Sequence, residues 1–563
     1  MSLRIVCLFL FFLMLQAGCE KKSEPDNQDS PEKYRLKAQD ALALFDQGIQ
    51  VAKTGDLSQA IEKFNQSIAL DSKNPEGYFN RGRAFLVLGK YEQALADLTQ
   101  SIQLDDTSKE AYNNRGIARY YLQQYQGAIE DFNQAILLDP NLSYGNAFYN
   151  RGNVLLETGK THQAIEDFEL ALKFDPNNVS AYINRGRAFS RQERFPEALL
   201  DFDKARELAP EDYRVPFNVG VTRYQMSEFK PALAAFEEAV KKNPSFAPGY
   251  NNLGLALYML HQYEEAIAAY DRTLVLDPSM ALALNNRGVA YKNLGRIEQA
   301  IRDYSRAIEL DPGLAEAYNS RGAAYRSLEK TDLALADLTR ALELSPGSSL
   351  PWFNRGVVNH LLKNYKQALA DYNQAIAINP SFGIAYLNRG YTLSVTGEHH
   401  KAIVDYNRAL VLLPGESFVF FSRGNAYMEL QDFRRAIRDF DRALKATPRF
   451  ALAFNNRGLA KAKLREYSAA VEDFSAAIKL DDQSAYFYNN RALAYSKLEQ
   501  HERAISDLER AIYLNPEQGT PYLNRAQAYE ALGNERAACM DLNKACQMKL
   551  RRACQISTRK ACP

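Results

Sequence analysis

Ala281–Leu314 reads ALALNNRGVAYKNLGRIEQAIRDYSRAIELDPGL. Apolar and small residues recur at helical spacing up to Leu294, Gly295 marks a turn, and a second helical run closes on Leu310-Asp311-Pro312. The segment predicts two antiparallel helices joined by a tight turn. It recurs in both directions along the chain. Aligned on the small residue that follows the Asn-Arg pair or its equivalent, taken as position 8, the copies carry Gly48, Gly82, Gly116, Gly152, Gly186, Gly220, Gly254, Gly288, Gly322, Gly356, Gly390, Gly424, Gly458, Ala492 and Ala526. Every step is 34 residues except one of 36, from Gly116 to Gly152. Fifteen copies therefore run from Ala41 to Arg552, the two extra residues falling near Leu142 to Asn146.

The copies share a packing pattern. Position 20 is always Ala, position 27 is Ala, Ser or Thr, position 24 is Phe, Tyr or Leu, and position 32 is Pro in eleven copies. Small side chains let two helices approach closely, a large ring fills the space beside them, and the proline ends one hairpin before the next begins. With 46% apolar residues, 24% charged residues and net charge +1, the 563-residue chain has the composition of folded soluble protein. Near-neutral charge argues against nucleic acid, which needs clustered Lys and Arg. No apolar run reaches the roughly 18 to 20 residues of a membrane-spanning helix. The repeats leave little chain for a separate catalytic domain.

Position 7 is Arg in twelve copies and position 23 is Asp in the same twelve; the other three carry Gln47, Val219 and Leu253 against Lys63, Ala235 and Ala269. Both positions lie equally far from the turn at position 15, so they face each other across the hairpin. This predicts an ion pair inside each of twelve hairpins. The rival, an arginine ladder for phosphate or carboxylate, predicts no matched loss of Asp.

Asn-Arg-Gly-x-Ala-Tyr, Ala at 20, an aromatic at 24, Ala at 27 and Pro at 32 resemble tetratricopeptide repeats over about nine tenths of the chain. The resemblance implies an all-α fold, a right-handed superhelical solenoid of about 15 repeats whose first helices line a concave groove for extended peptides or partner helices. Such repeats fold only as a stack. Repeat 1 departs from the pattern with Asp46, Gln47 and Lys63, which suits a polar end cap.

Position 6 is Asn in twelve copies: Asn80, Asn114, Asn150, Asn184, Asn218, Asn252, Asn286, Asn354, Asn388, Asn456, Asn490 and Asn524. Asn is a mediocre helix former, so its recurrence asks for a reason. Its amide offers a donor and an acceptor, enough to hold a peptide backbone without reading its side chains. The column resembles the asparagine ladder in the repeat domain of O-linked N-acetylglucosamine transferase, whose catalytic domain has no counterpart here. The alternative is that these amides bond the next repeat's backbone and only shape the solenoid. Position 5 beside them mixes rings (Phe79, Tyr149, Phe217, Phe353, Phe421) with Asn (Asn113, Asn251, Asn285, Asn319, Asn455, Asn489), and apolar pockets beside amides suit peptide capture. Position 5 is never Lys, which rules out a charged clamp resembling that of chaperone-binding repeats.

Residues 1–18, MSLRIVCLFLFFLMLQAG, set Arg4 before an apolar run from Ile5 to Leu15 and small residues Ala17 and Gly18, the pattern of a secretory signal. Leu-Gln-Ala-Gly-Cys resembles the lipobox of bacterial lipoproteins, with Gln16 where that family usually has Leu. The resemblance implies cleavage before Cys19 and lipid on Cys19; ordinary cleavage and a retained anchor are the alternatives. Residues 19–40 are expected to be a tether and the lead-in to the first helix. Glu20 to about Lys33 is polar, holds two prolines and spans on the order of 20 Å. Glu20 after the cysteine, by resemblance to proteobacterial lipoproteins, favours the outer membrane.

Cys539, Cys546, Cys554 and Cys562 close the chain, and residues 553–563 are expected to form a cap. An even number of cysteines in an exported protein favours disulfides, for which four cysteines allow three connectivities. Lys-Ala-Cys-x7-Cys resembles the cysteine-bridged Sel1-like repeats, and that resemblance implies Cys546 with Cys554 and Cys539 with Cys562. Seven- and eight-residue gaps with no later His are unlike a zinc knuckle. No nucleophile elbow, phosphate loop or HExxH is present, and adjacent His399 and His400 are expected in a solvated turn.

The expected function is a non-catalytic scaffold without cofactor, metal, nucleic acid or small-molecule substrate. It is lipid-anchored in a bacterial envelope, at the periplasmic face of the outer membrane, and binds envelope proteins or their extended segments. A periplasmic holdase and a regulatory subunit of an envelope enzyme are the alternatives.

Overall fold

The computed structural model describes residues 31–139, 145–560 and 562. Among them are thirty-one helices and no strand. The chain divides into two compact units between Ala256 and Leu257. Each unit is a stack of antiparallel helical hairpins, one hairpin per 34-residue copy. Repeat 8 is typical, with a first helix at Ala281–Asn293 and a second at Ile297–Leu310.

The packing follows the sequence pattern. Ala at position 20 is buried in every copy, as is the small residue at 27. Position 8 is set against the residue at 24: a Cβ on Gly186 would lie 2.5 Å from the Phe202 ring, and on Gly288 2.6 Å from the Tyr304 ring. In sequence, Ala replaces this glycine only in repeats 14 and 15, where position 24 is Leu508 and Leu542. Position 15 adopts a left-handed conformation in all fifteen turns, though only six of them have glycine there. The Leu-Asp-Pro ending has a local cause. Asp311 accepts the Gly313 N–H at 2.9 Å and Asp277 the Ser279 N–H at 3.0 Å. The proline between has no N–H to satisfy.

All twelve expected ion pairs form, with Nη or Nε to carboxylate distances of 2.6–2.8 Å and Asp side chains at most 10% exposed. Each fork is bidentate, as at Arg389, whose Nε and Nη2 reach Asp405 at 2.7 and 2.6 Å. In nine copies the remaining Nη1 reaches back to position 25 of the preceding repeat, as in Arg389 to Asn373 and Arg457 to Asp441. In eleven of the twelve the guanidinium also lies over the ring three residues earlier, as Arg355 does over Trp352 at 4.9 Å. These arginines hold the stack together and are not a ladder free for ligand.

Within each unit, first helices of successive repeats touch one another, as Ala315–Ser327 and Ser349–Leu361 do, and second helices pack on first helices. The first helices therefore line the inner side of each stack. Both ends differ from expectation. The first helix begins at Pro31, inside the segment read as tether, and runs 23 residues to Lys53 instead of 13; proline suits a first helical position because its missing N–H has no intrahelical partner. At the other end Arg551–Arg559 is a further helix, which takes the last two residues assigned to repeat 15. The extra two residues fall in a connection whose residues 140–144 lie outside the described ones. Residues 1–30, with the signal segment and Cys19, lie outside them too.

Candidate protein-binding face

Eleven of the position 6 asparagines are half-buried on first helices and Asn354 is buried. The neighbour at position 5 decides what their amides do. Where the preceding repeat has Asn there, the amide donates to it: Asn150 to Asn113 at 2.9 Å, Asn354 to Asn319 at 2.9 Å, Asn490 to Asn455 at 2.9 Å and Asn524 to Asn489 at 2.8 Å. Where it has Phe, that acceptor is missing, whereas the Tyr149 hydroxyl still accepts from Asn184 at 3.3 Å. Asn184 and Asn456 also donate to position 9 of the preceding repeat, Asn153 and Asn425. Asn252 and Asn388 turn to their own helix, to the carbonyls of Pro248 and Ile384, and Asn80 and Asn218 do the same with Glu76 and Arg214. Asn286 is also engaged within the protein. Asn114, which follows Phe79, makes none of these bonds.

Six of the twelve therefore shape the stack, through side chains of the preceding repeat instead of the next repeat's backbone, and four bond a carbonyl of their own helix. An amide with one N–H engaged keeps a second N–H and, in most copies, its carbonyl oxygen. The rings at position 5 are not open pockets. Tyr149, Phe217, Phe353 and Phe421 lie 5.9–6.1 Å from the position 24 rings of their own repeats, Phe168, Phe236, Tyr372 and Phe440. Phe421 is buried.

The exposed apolar surface lies one turn earlier. In the unit from Leu257 onward, position 2 carries Leu282, Leu350, Ile384, Phe418, Leu452 and Tyr486, each 44–63% exposed and interrupted only by Glu316. Repeats 2 to 7 hold Glu76, Glu110, Asn146, Ser180, Arg214 and Pro248 at the same place. A column of six apolar side chains one helical turn from a column of amides can bury a partner's apolar groups and bond its backbone. Elsewhere, a cavity of about 560 Å3 between repeats 1 and 2 is lined by Ile49, Ala52, Asn80 and Val87 of the first helices and Phe64 of a second helix.

Tetratricopeptide-repeat models match residues 110–142, 145–178, 247–280, 281–314, 315–348, 350–382 and 485–518, and related models of the same repeat match 51–89, 75–108, 421–485 and 520–551. The chain belongs to the tetratricopeptide-repeat family. The crystal structure of the APC/C hetero-tetramer Cut9–Hcn1 shares the fold with a TM-score of 0.52 and 17% identity, over 89% of this chain and 97% of that one. Two crystal structures of MamA are 28% and 29% identical over 31% and 29% of this chain and 93% and 95% of theirs, each with a TM-score of 0.28. No curated protein matches the chain in sequence.

The last tetratricopeptide repeat is closed covalently. Cys539 is bonded to Cys562 and Cys546 to Cys554, one of the three connectivities four cysteines allow. Both bridges tie the helix Arg551–Arg559 and the residues after it to Glu535–Gln547, the second helix of that repeat. Among the described residues no three His, Cys, Asp or Glu side chains converge on a metal position, and no helix is long and apolar enough to cross a membrane. His400 is exposed, but His399 opens a second helix half-buried, with Nδ1 shut off from solvent and partner, contrary to the expected solvated pair.

Proposed function

We propose that this tetratricopeptide-repeat chain is a non-catalytic scaffold that gathers partner proteins, or extended segments of them, along the inner first-helix face of residues 257–562. The observation that supports this is the exposed position 2 column, Leu282 to Tyr486, beside the amide column. A column of exposed apolar side chains, unbroken from Leu350 to Tyr486 and extended by Leu282 beyond Glu316, is the kind of surface that marks a protein interaction site. The same reading places the scaffold in a bacterial envelope, held by lipid on Cys19 at the periplasmic face of the outer membrane. That part rests on the lipobox resemblance of Leu15 to Cys19. Its partners are then envelope proteins.

A photo-crosslinking residue at Leu350 or Tyr486 tests the face, with Val404 and Val411 as exposed second-helix controls. Discrete partners captured from the first-helix positions and not from the controls support the reading; capture only from the controls refutes it. Labelling with radioactive palmitate tests the anchor. Label present in the native chain and absent from Cys19→Ser supports it, and equal labelling of both removes it.

A further inference from the structure

Position 12, on the same first helices, is Ala, Leu, Tyr, Ser, Met or Glu in twelve repeats. Three consecutive repeats break this rule with Lys292, Arg326 and His360. Their helices, Ala281–Asn293, Ala315–Ser327 and Ser349–Leu361, touch in succession. Lys292 and Arg326 are half-buried and, among the described residues, form no ion pair or hydrogen bond. Burial lowers the pKa of both, and the charge of Arg326 lowers that of Lys292 further. The Arg326 guanidinium keeps its charge at any ordinary pH.

Other half-buried first-helix cations are partnered: Arg119 by Asp131 at 2.9 Å, Lys461 by Asp473 at 2.9 Å and Arg223 by Glu228 at 2.5 Å. On the first helices of repeats 8 to 10 the one acid is Glu316, and no carboxylate raises the pKa of Lys292 or Arg326. Glu316 is ten residues before Arg326, about 15 Å along the helix axis. His360 is held by Thr392, its Nδ1 2.8 Å from the hydroxyl. Two like charges drawn part-way out of water without a counter-charge are costly, and such costs gather at binding sites.

We propose that Lys292 and Arg326, with His360 beside them, bind carboxylates of an acidic, extended segment of a partner protein. This rests on the scaffold reading and narrows it to a class of partner. Neighbouring helix axes lie roughly 8 to 10 Å apart, which a chain in extended polyproline form spans with carboxylates three residues apart. The apolar column at Leu282 and Leu350 then takes the segment's apolar residues at the other end of the same helices.

Fluorescence anisotropy with the full chain tests this. The probe is a labelled twelve-residue peptide with Glu at every third position, and the control is the same peptide with Gln. The native chain should bind the Glu peptide at least about tenfold more tightly than the Gln peptide, and Lys292→Gln with Arg326→Gln should erase that difference. Lys292→Arg, which keeps the charge, should restore it. Removing two unpaired cations should leave the melting temperature of the double variant unchanged or raised. A double variant that binds the Glu peptide as the native chain does overturns the inference, as does a native chain indifferent to Glu against Gln. Crosslinking at Tyr486, far from these cations in sequence, separates the two readings. Partner capture there without Glu-peptide preference removes only the acidic-segment inference, whereas no capture at any first-helix position removes both.

Discussion

Replacing Arg185 by Val should cost more than replacing both Arg185 and its partner Asp201. Asp201 is buried, and its carboxylate takes Nε of Arg185 at 2.8 Å and Nη2 at 2.7 Å. Burial pushes this carboxyl above its usual range even with the guanidinium on it, so desolvation already outweighs the attraction. Arg185→Val strands that anion and should destabilise the hairpin by about 3–5 kcal/mol. Asp201→Ala leaves a guanidinium whose side chain, 19% exposed, can turn toward water, at about 1–3 kcal/mol. The double variant recreates Val219 with Ala235, the pair repeat 6 carries, and should fall within about 1 kcal/mol of native. The coupling energy should then be at least about 3 kcal/mol. Because each repeat contacts only its neighbours, the loss is local. Amide hydrogen exchange over Val179–Leu208, followed by mass spectrometry, reads it, with urea unfolding of the whole chain alongside. A double variant that exchanges as fast as the faster single would refute the reasoning.

Gly186→Ala should cost about 1–3 kcal/mol by driving a methyl into Phe202, and adding Phe202→Leu, the combination found at Ala492 and Leu508, should recover most of the loss in a thermal melt. Tyr304 hides a hydroxyl with no partner, so Tyr304→Phe should be neutral or stabilising by about 1 kcal/mol, whereas Tyr372→Phe, which loses a bond to Thr392, should not be. Reducing the two C-terminal disulfides should remove about 3 kcal/mol each, seen as faster hydrogen exchange in Arg551–Arg559 with no change in Gly383–Val395. Burial lowers the pKa of His360 below its ordinary 6.5, so the fold disfavours the charged ring. Stability from this group is complete above pH 6.5 and is lost as pH falls through that value toward the lowered one. The native chain should therefore lose more melting temperature than His360→Gln between pH 7.5 and 5, and equal losses would count against it.

Much of the fold was legible in the sequence because a 34-residue period repeats the same packing problem fifteen times. The Arg–Asp pairs could be read because both partners vanish together in repeats 1, 6 and 7. The backward reach of the same arginines could not. Its acceptors at position 25 are Asn, Asp, Ser or Thr, alike only in being short and polar, and that looks like an exposed helix face. The asparagine column was visible, but not its use. Position 6 hardly varies, so its dependence on Asn or a ring at position 5 leaves no pattern of joint loss. Lys292 and Arg326 were hidden for the opposite reason, since they depart from the repeat and a reading built on recurrence passes over them. Both ends escaped as well, because the helix from Pro31 and the helix from Arg551 fall outside the period.

The backward reach of the arginines gives the stack a direction. A chain leaves the ribosome from its N-terminus, and in nine repeats Nη1 of the arginine finds its acceptor in the hairpin that emerged before it. A newly made hairpin thus finds its docking partner already folded, and growth by addition at one end needs no later rearrangement. Repeats 6 and 7, with Val219 and Leu253 in place of arginine, lack this latch. At repeat 6 other polar contacts do the work of the missing latch, such as Ser190 to Thr222 at 2.7 Å and Arg206 to Glu238 at 3.7 Å.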